Sequence, residues 1–368
     1  MNAFLHIVPE WFQLISLTFC IGALVCRLFV FTPLAGAEFP SHGNILASMW
    51  RLFGICLGVM VASSVAELLL RASEISGQPV SAAFPILPTV ILKTHFGSVW
   101  LIRIATLILL SITLKAGRPY RDSRGFLLLM LGFSMLISMT ASASGHASDK
   151  GDFSIAEIMD WLHLLAASVW GGGLVVLSVS LLPELVRTGD QAAPVIAGVA
   201  LRFSKIAGFA VGIIALTSIY NAWSYVGSFG AFLKSPYGLA VLAKIVLFLI
   251  LINLGAFNRY INVPLLQQWG GFPSGNPGII KRIVDRFVPR FLRDQSGYWI
   301  ALRFKRSVRV EALLIIGVLL CAAMLRHEIP ARHVSHMEHL GGKGHSMQHN
   351  DGGAPDAHSD HPNHDGMR

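Results

Sequence analysis

A histidine- and methionine-rich segment at the carboxyl end carries the clearest chemical signal in this sequence. Residues 326–368 hold nine of the chain's fourteen histidines, together with methionines, acids and glycines, and little that could form a core. Imidazole suits copper, zinc and nickel, whereas thioether favours reduced copper. Because the spacing is irregular and unlike a zinc finger, we predict a tail that is disordered in isolation and collects metal at several weak sites. The alternative is a solvated polar terminus without metal. The proposed ligands are His333, His336, Met337, His339, His345, Met347, His349, His358, His361 and His364.

A second group of metal-binding side chains falls near the end of one apolar stretch and the start of the next. Side chains four apart share a helical face, as do those three apart to a good approximation. Two thioethers and two imidazoles at one depth could form a soft copper site, although methionine at helical spacing often only packs. The members are Met135, Met139, His146, Met159, Asp160 and His163.

Four further ionisable residues lie inside apolar stretches, where a lone charge is costly. We expect Arg103 or Lys244 to pair with Glu67, with another carboxylate or with backbone carbonyls. These two cations occupy equivalent places in an internal repeat, so the pair suits a structural role better than transport. His95 could be a metal ligand, or could pair with His163 around a haem.

The elements that position these residues are membrane helices. The chain has 54% hydrophobic and 13% charged residues, with a mean hydropathy of +0.60, which is far more apolar than a soluble protein of 368 residues. Eight apolar stretches are long enough to cross a hydrocarbon core of about 30 Å as helices. The predicted spans are 8–32, 46–70, 92–114, 125–142, 156–182, 203–225, 238–258 and 309–325.

The two halves of the chain repeat one pattern. Glu10, Trp11, Gly22 and Pro33 align without a gap on Asp160, Trp161, Gly172 and Pro183, and the run from Leu92 to Gly97 with Arg103 recurs from Leu233 to Gly238 with Lys244. A parallel duplication in lipid is typical of two bundles with a site where they meet. We therefore predict an all-α polytopic membrane protein with eight transmembrane helices in two parallel four-helix repeats, residues 1–142 and 143–325, followed by the tail, 326–368.

Basic residues set the predicted orientation. Loops 115–124, 183–205 and 259–308 are richer in lysine and arginine than the alternate loops, which places both termini on the periplasmic side. The net charge of +9 is mainly this cytoplasmic bias and does not indicate nucleic-acid binding. Within loop 259–308, residues 279–288 alternate apolar and basic residues at helical spacing, so we expect this segment to lie on anionic lipid headgroups.

The order and spacing of several short motifs resemble the CopD family, copper resistance protein D, of bacterial inner-membrane copper proteins. The resemblance covers residues 1–325 and is strongest from Gly145 to Arg259; the histidine-rich tail lies outside it. The residues that carry it are Gly145-His146-Ala147, His163-Leu164-Leu165-Ala166, Trp170-Gly171-Gly172, Phe203-Ser204, Tyr237-Gly238 with Lys244, and Asn258-Arg259.

The resemblance implies a multi-pass inner-membrane protein that moves copper from periplasm to cytoplasm and is not an enzyme. It also implies a separate periplasmic copper carrier of the CopC type as partner, and functional roles for His146, His163, Trp170, Tyr237 and Lys244. The chain has no GxxxxGK[ST] motif that would indicate an ATP-driven pump. Two alternatives stay open: a haem-binding electron-transfer protein, and a copper receptor or assembly factor that does not transport.

Overall fold

The described part of the chain consists of helices joined by turns, with no strand in any of its ranges. The computed structural model describes residues 3–32, 34, 39–145, 151–225, 236–272 and 295–326. The α-helices are α1 Ala3–Val25, α2 His42–Ser76, α3 Leu87–Lys93, α4 His95–Ala116, α5 Arg124–Ala143, α6 Ile155–Ala167, α7 Gly173–Val176, α8 Leu182–Thr188, α9 Ala193–Tyr225, α10 Pro236–Phe257, α11 Val263–Trp269 and α12 Gly297–Leu325. The predicted all-α polytopic class is confirmed.

Seven helical segments of these described ranges are long and apolar enough to cross a membrane. One of them, Ile155–Ser224, is 70 residues long. It turns at Gly189, whose φ of 73° lies in the region that glycine tolerates best, and α6 then packs against α9. This segment therefore crosses twice, which accounts for the eight predicted passes.

Several helices extend beyond their predicted spans, and for two of the differences the structure shows the physical cause. The span predicted to start at residue 92 is divided at Thr94, which is extended and caps α4 by accepting a hydrogen bond from the Gly97 amide at 3.0 Å. The last helix begins at Gly297, well before the predicted residue 309, because a buried stripe runs along its basic first half. That stripe consists of Ile300, Ala301, Phe304 and Val308.

Helix α1 is the centre of the bundle, while α10 lies at its periphery. The apolar window of the first span is 83% buried inside the protein, whereas that of Tyr237–Trp269 is only 6% buried. The α1 side chains Leu17, Ile21 and Leu24 are almost fully inaccessible. Since lipid tails are as apolar as leucine, the exposed surface of α10 is suited to the hydrocarbon core.

Three helices widen into a π-helical turn at the same distance before a proline. The turns are Cys26–Phe31, Leu177–Leu181 and Asn258–Asn262, and each ends two residues before Pro33, Pro183 or Pro264. Proline lacks an amide hydrogen and its ring crowds the carbonyl four residues earlier, so a widened turn lets the helix continue towards it. The first two turns fall at nearly equivalent places in the two repeats.

The two halves meet through equivalent residues of α1 and of the helix continuing from α6. The hydroxyls of Thr18 and Ser168 lie 3.4 Å apart, and the backbones at Gly22 and Gly172 touch, leaving no room for a Cβ at either glycine. Contact between equivalent residues is the geometry of a two-fold related pair. It supports the proposed duplication, while the boundaries at residues 142 and 325 stay predictions.

Two equivalent tryptophans, Trp11 and Trp161, form hydrogen bonds between the two repeats. The Trp11 indole on α1 donates to the Ile316 carbonyl of α12 at 3.1 Å. The equivalent Trp161 on α6 donates to Ser138 of α5 at 2.9 Å. The first helix of each repeat thus packs on the last helix of the other, so the bundles interlock.

Candidate metal site and its polar surroundings

The polar side chains of the bundle gather at two levels. We call the end that carries Glu10, Asp160 and Arg326 the tail side, because α12 ends there just before the histidine-rich tail. The opposite end, with Asn258 and Arg303, is the loop side. The candidate metal residue His163 lies towards the tail side, one turn after Asp160 on α6.

In the first repeat, Arg103 of α4 and Glu67 of α2 form an ion pair inside the bundle, and the Gln13 amide of α1 lies beside it. Arg103, which is 2% exposed, donates to Glu67 at 2.6 Å, so the expected pairing is present. In the orientation that satisfies both neighbours, the Gln13 amide donates to Glu67 at 3.1 Å and accepts from Arg103 at 2.8 Å. Arg103 also donates to Ser144 at 2.8 Å and to the Thr140 carbonyl at 3.0 Å. A buried charge with this many partners is a stable structural element.

In the second repeat, the equivalent place holds a different trio. His163 aligns with Gln13 and Lys244 with Arg103, and Thr217 follows His163 at the same spacing as Glu67 follows Gln13. The Nδ1 atom of His163 lies 3.0 Å from the Thr217 hydroxyl, which itself donates to the Ile213 carbonyl at 2.7 Å. Because that proton is already given to Ile213, the hydroxyl accepts from Nδ1–H, which leaves Nε2 as the ring's lone-pair donor.

The second trio contains no carboxylate, since threonine replaces the acid. In the described residues, no carboxylate lies within ion-pair distance of Lys244, although the charges of Asp160 and Arg326 act on it. A neutral imidazole with Nε2 as its lone-pair donor is the kind of ligand that copper accepts. The first repeat is therefore built as an ion pair, while the second keeps a coordinating group.

An ion cluster joins the halves at the tail side. Arg326 donates to Glu10 at 2.6 Å and lies 4.0 Å from Asp160, the residue that aligns with Glu10 in the second repeat. It also donates to the Ala141 carbonyl at 3.0 Å, while Ser142 donates to Asp160 at 2.8 Å. The root of the histidine-rich tail is thereby fixed one helical turn from His163.

The structure separates some of the predicted ligands. His163 faces α9 through Thr217, whereas Met135 lies on α5, where its carbonyl accepts from Trp161 at 3.3 Å. Met139 and Met159 are half-buried. His95 is 50% exposed, and its Nε2 lies 2.8 Å from Asp152, so its surroundings differ from those of His163.

Several predicted ligands lie outside the described residues, namely His146 and all the tail positions from His333 to His364. Segment 279–288, predicted to lie on anionic lipid, is also outside them. Within the described ranges, no group of three or more histidine, cysteine, aspartate or glutamate side chains could hold a metal ion. A complete copper site at His163 therefore requires thioether ligands, His146 or the tail.

The two other positions implied by the resemblance are buried. Trp170 is 4% exposed and packs edge to face on Phe248 of α10, with ring centroids 6.0 Å apart. Tyr237, at the first turn of α10, is 8% exposed and lies near Asp160. Both connect α10, the peripheral helix, to the wall that carries His163.

Sequence reasoning missed a polar cluster on the loop side of the second repeat. Glu311 on α12 is 2% exposed and accepts a short hydrogen bond from Asn258. Asn262 donates to Asn258 at 2.6 Å, and Arg303 donates to Asn262 at 2.8 Å. The signal was available, because Glu311 is an acid inside the predicted span 309–325. Gln13, Glu10 and Arg326 were also missed as members of the tail-side network.

Comparison with known proteins gives two family models that together cover most of the chain. The model described as copper resistance protein D matches residues 197–325, and the model described as the N-terminal domain of copper resistance protein D-like proteins matches residues 1–156. No solved structure matches the chain.

Three curated relatives are similar over part of the sequence. Copper resistance protein D of Pseudomonas syringae pv. tomato is 27% identical over 66% of this chain and 77% of its own length. Copper transport protein CutJ of Bacillus subtilis is 32% identical over 45% of this chain and 30% of its own. Inner membrane protein YebZ of Escherichia coli is 29% identical over 48% of this chain and 59% of its own. The chain thus spans less than two thirds of the length of the last two relatives.

Proposed function

Because the chain belongs to the copper resistance protein D family, we propose that it moves copper ions across the bacterial inner membrane, from the periplasm to the cytoplasm. Two of the relatives are named for copper resistance and copper transport, and the third is named as an inner-membrane protein. The seven long apolar helical segments of the described chain suit such a multi-pass location. Both termini are proposed to face the periplasm, which makes the tail side the copper entrance.

The observation that carries this proposal is the difference between the two equivalent trios. The first repeat fills its place with the Arg103–Glu67 ion pair, whereas the second has His163 held by Thr217. An imidazole kept at membrane depth, without a carboxylate to pair with, needs a reason beyond stability. Reception of a copper ion by Nε2 supplies that reason.

In the proposed sequence of events, the tail collects copper and passes it to His163. Arg326 roots the tail at Glu10, close to Asp160 and one turn from His163. Met159, one turn before His163 on α6, and His146 are proposed to complete the site. A separate periplasmic carrier of the CopC type would load copper from the same side. Copper is the cargo here.

The proposal is tested by copper uptake into proteoliposomes of determined orientation, under reducing and oxidising conditions. We expect His163→Gln to lower protein-dependent uptake by at least about tenfold, the smallest effect usual even for groups that only support a metal ligand. Glutamine is the residue of the first repeat, so the variant should fold. His95→Gln is the matched control, because it removes an exposed histidine paired with Asp152.

The outcomes separate the alternatives. Copper binding without flux in the wild type would indicate a receptor or assembly factor, and a haem absorbance band that both histidine variants lose would indicate an electron-transfer protein. Normal uptake by His163→Gln would refute the site. A variant ending at residue 329 should need a higher copper concentration for uptake, yet reach the same maximal rate, if the tail only collects metal.

A further inference from the structure

A cavity of about 500 Å³ opens on the loop side of the second repeat. It lies between α9, the α10–α11 helix and α12, and its walls are mostly apolar. Exposed residues such as Lys205, Phe209 and Arg259 line its outer part, whereas the buried Glu311 and Asn258 line its inner part. The cavity therefore leads from the loop-side surface to a buried carboxyl group.

The cavity also reaches the helix that carries the candidate copper ligand. Trp170 lines it and stands seven residues, about two helical turns, after His163 on the same continuous helix. The corresponding region of the first repeat is closed: Arg27 pairs with Asp122 at 2.6 Å, and the cavity lined by Arg27 has a volume of only about 10 Å³. The route from the loop side thus exists in the half that contains His163.

Glu311 lacks the basic partner that a buried carboxylate in a membrane helix normally has. Among the described residues, no lysine, arginine or histidine lies within ion-pair distance of it. Its Oε1 atom accepts from the neutral amide of Asn258, and its Oε2 atom lies towards Gly255, another residue of the cavity wall. A carboxylate at this depth must either take up a cation from the cavity or carry a proton.

The hydrogen-bond chain behind Glu311 connects it to a charge at the loop side. Arg303 donates to Asn262, Asn262 to Asn258, and Asn258 to Glu311, so that every donor is directed at the carboxyl group. Such a polarised chain stabilises the anion, whereas burial favours the protonated form. Because the two effects oppose each other, the carboxyl group of Glu311 is suited to change its protonation state during a transport cycle.

We propose that Glu311 binds and releases a proton through the loop-side cavity, and that this proton is the coupling ion of copper transport. This inference rests on the proposed function and names the ion that the site takes. The Asn258 amide directs its N–H at the carboxyl group, so the oxygen that remains for a ligand is Oε2 of Glu311, a hard donor that suits a proton better than reduced copper. In the step itself, an O–H bond of a hydronium ion that enters from the loop side breaks as an O–H bond forms at Oε2, leaving water; the reverse transfer to water releases the proton, and no electron is transferred.

Within the described residues, three other charged or titratable groups line the cavity with Glu311. Lys205 of α9, Arg259 and Tyr260 line the same cavity, and Arg303 on α12 acts through the asparagines. Glu184 and Arg187 of α8 pair with each other, and Asp190 follows them. The helix α7, the π-turns at Ser168–Gly172 and Leu177–Leu181, and α11 contain no titratable side chain. Helix α1 meets α12 further towards the tail side, at Ile316 and Arg326.

The first test is infrared difference spectroscopy of the full-length protein in lipid, titrated across the neutral pH range. We expect the wild type to show the carbonyl band of a buried protonated carboxyl group that grows as pH falls, and we expect Glu311→Gln to lose it. Glu184→Gln, which neutralises an acid outside the cavity, should keep it. If Glu311→Gln and the wild type give the same titrating band, or if no such band titrates, the proton site is refuted.

The second test measures copper uptake while only the pH on the loop side is varied. The wild type and Glu184→Gln should change their rates with this pH, whereas Glu311→Gln should be insensitive to it. Full pH sensitivity in Glu311→Gln would overturn the coupling. If the wild type moves no copper but the titrating band depends on Glu311, the proposed function fails while the proton site stands.

A variant that keeps the carboxyl group covers the case in which Glu311→Gln does not fold. A Cβ at Gly255 would meet only Oε2 of Glu311, at 3.9 Å, so a larger side chain there has space to enter the cavity. Gly255→Leu should therefore slow proton exchange at Glu311 and the response of uptake to a loop-side pH jump. An unchanged response with the cavity filled would contradict access by this route.

Discussion

At the level of residues, the equivalent positions His163 and Gln13 show which contacts of the site could be predicted from the sequence and which could not. The pairing of Arg103 with Glu67 could be expected, because a buried cation in lipid needs an anion. The partner of His163 could not, since Thr217 is one of many hydroxyl residues in apolar helices and only packing selects it. Its spacing from His163, equal to that from Gln13 to Glu67, becomes meaningful once both contacts are known.

The cations of the two repeats should differ in what they contribute to stability. Arg103→Ala leaves Glu67, whose side chain is 14% exposed, without its charge partner, and we expect a loss of about 3–5 kcal/mol. Lys244→Ala should cost clearly less, because in the described structure Lys244 has no carboxylate within ion-pair distance. Denaturation of both variants in detergent, monitored by circular dichroism, measures the difference. Equal losses would show that Lys244 also has a structural ion-pair role.

At the level of elements, periodicity and length located the membrane helices, while their ends depended on contacts. The cap at Thr94 and the early start of α12 at Gly297 follow from a side-chain hydrogen bond and from a buried stripe within a basic stretch. Neither effect enters a hydropathy pattern. The π-turn before Pro183 is similar: the proline is visible in the sequence, but the widened turn is a response of the folded helix.

The crossing of α1 with the helix continuing from α6 predicts a sharp difference between two glycine substitutions. A Cβ at Gly172 would overlap the Thr18 backbone carbonyl, so Gly172→Ala should destabilise the protein by about 1–3 kcal/mol or more through forced separation of the helices. Gly212→Ala on α9 has open space and should be neutral or slightly stabilising. Thermal unfolding in detergent compares them. Tolerance of Gly172→Ala would mean that this crossing is not tight.

At the level of the whole molecule, the asymmetry between the halves gives a direction to the proposed path. Interlocking contacts through Trp11 and Trp161 join the repeats at the tail side, where Arg326 bridges Glu10 and Asp160. On the loop side of the described chain, the second repeat has the cavity of about 500 Å³, whereas the cavity lined by Arg27 in the first repeat is about 10 Å³. A copper ion received at His163 would therefore leave along the second repeat, if the halves slide past each other or separate at the crossing of Thr18 and Ser168.

That motion can be blocked at the same crossing. The hydroxyls of Thr18 and Ser168 are 3.4 Å apart. In a background without Cys20, Cys26, Cys56 and Cys321, we expect Thr18→Cys with Ser168→Cys to form a disulfide on oxidation with diamide, detected after cleavage at a protease site inserted between them. If transport requires rocking of the repeats, oxidation should stop copper uptake and reduction should restore it, while single-cysteine variants remain active. Uptake that continues with the disulfide formed would show that the two halves stay fixed at this crossing and that copper passes through smaller movements within the second repeat.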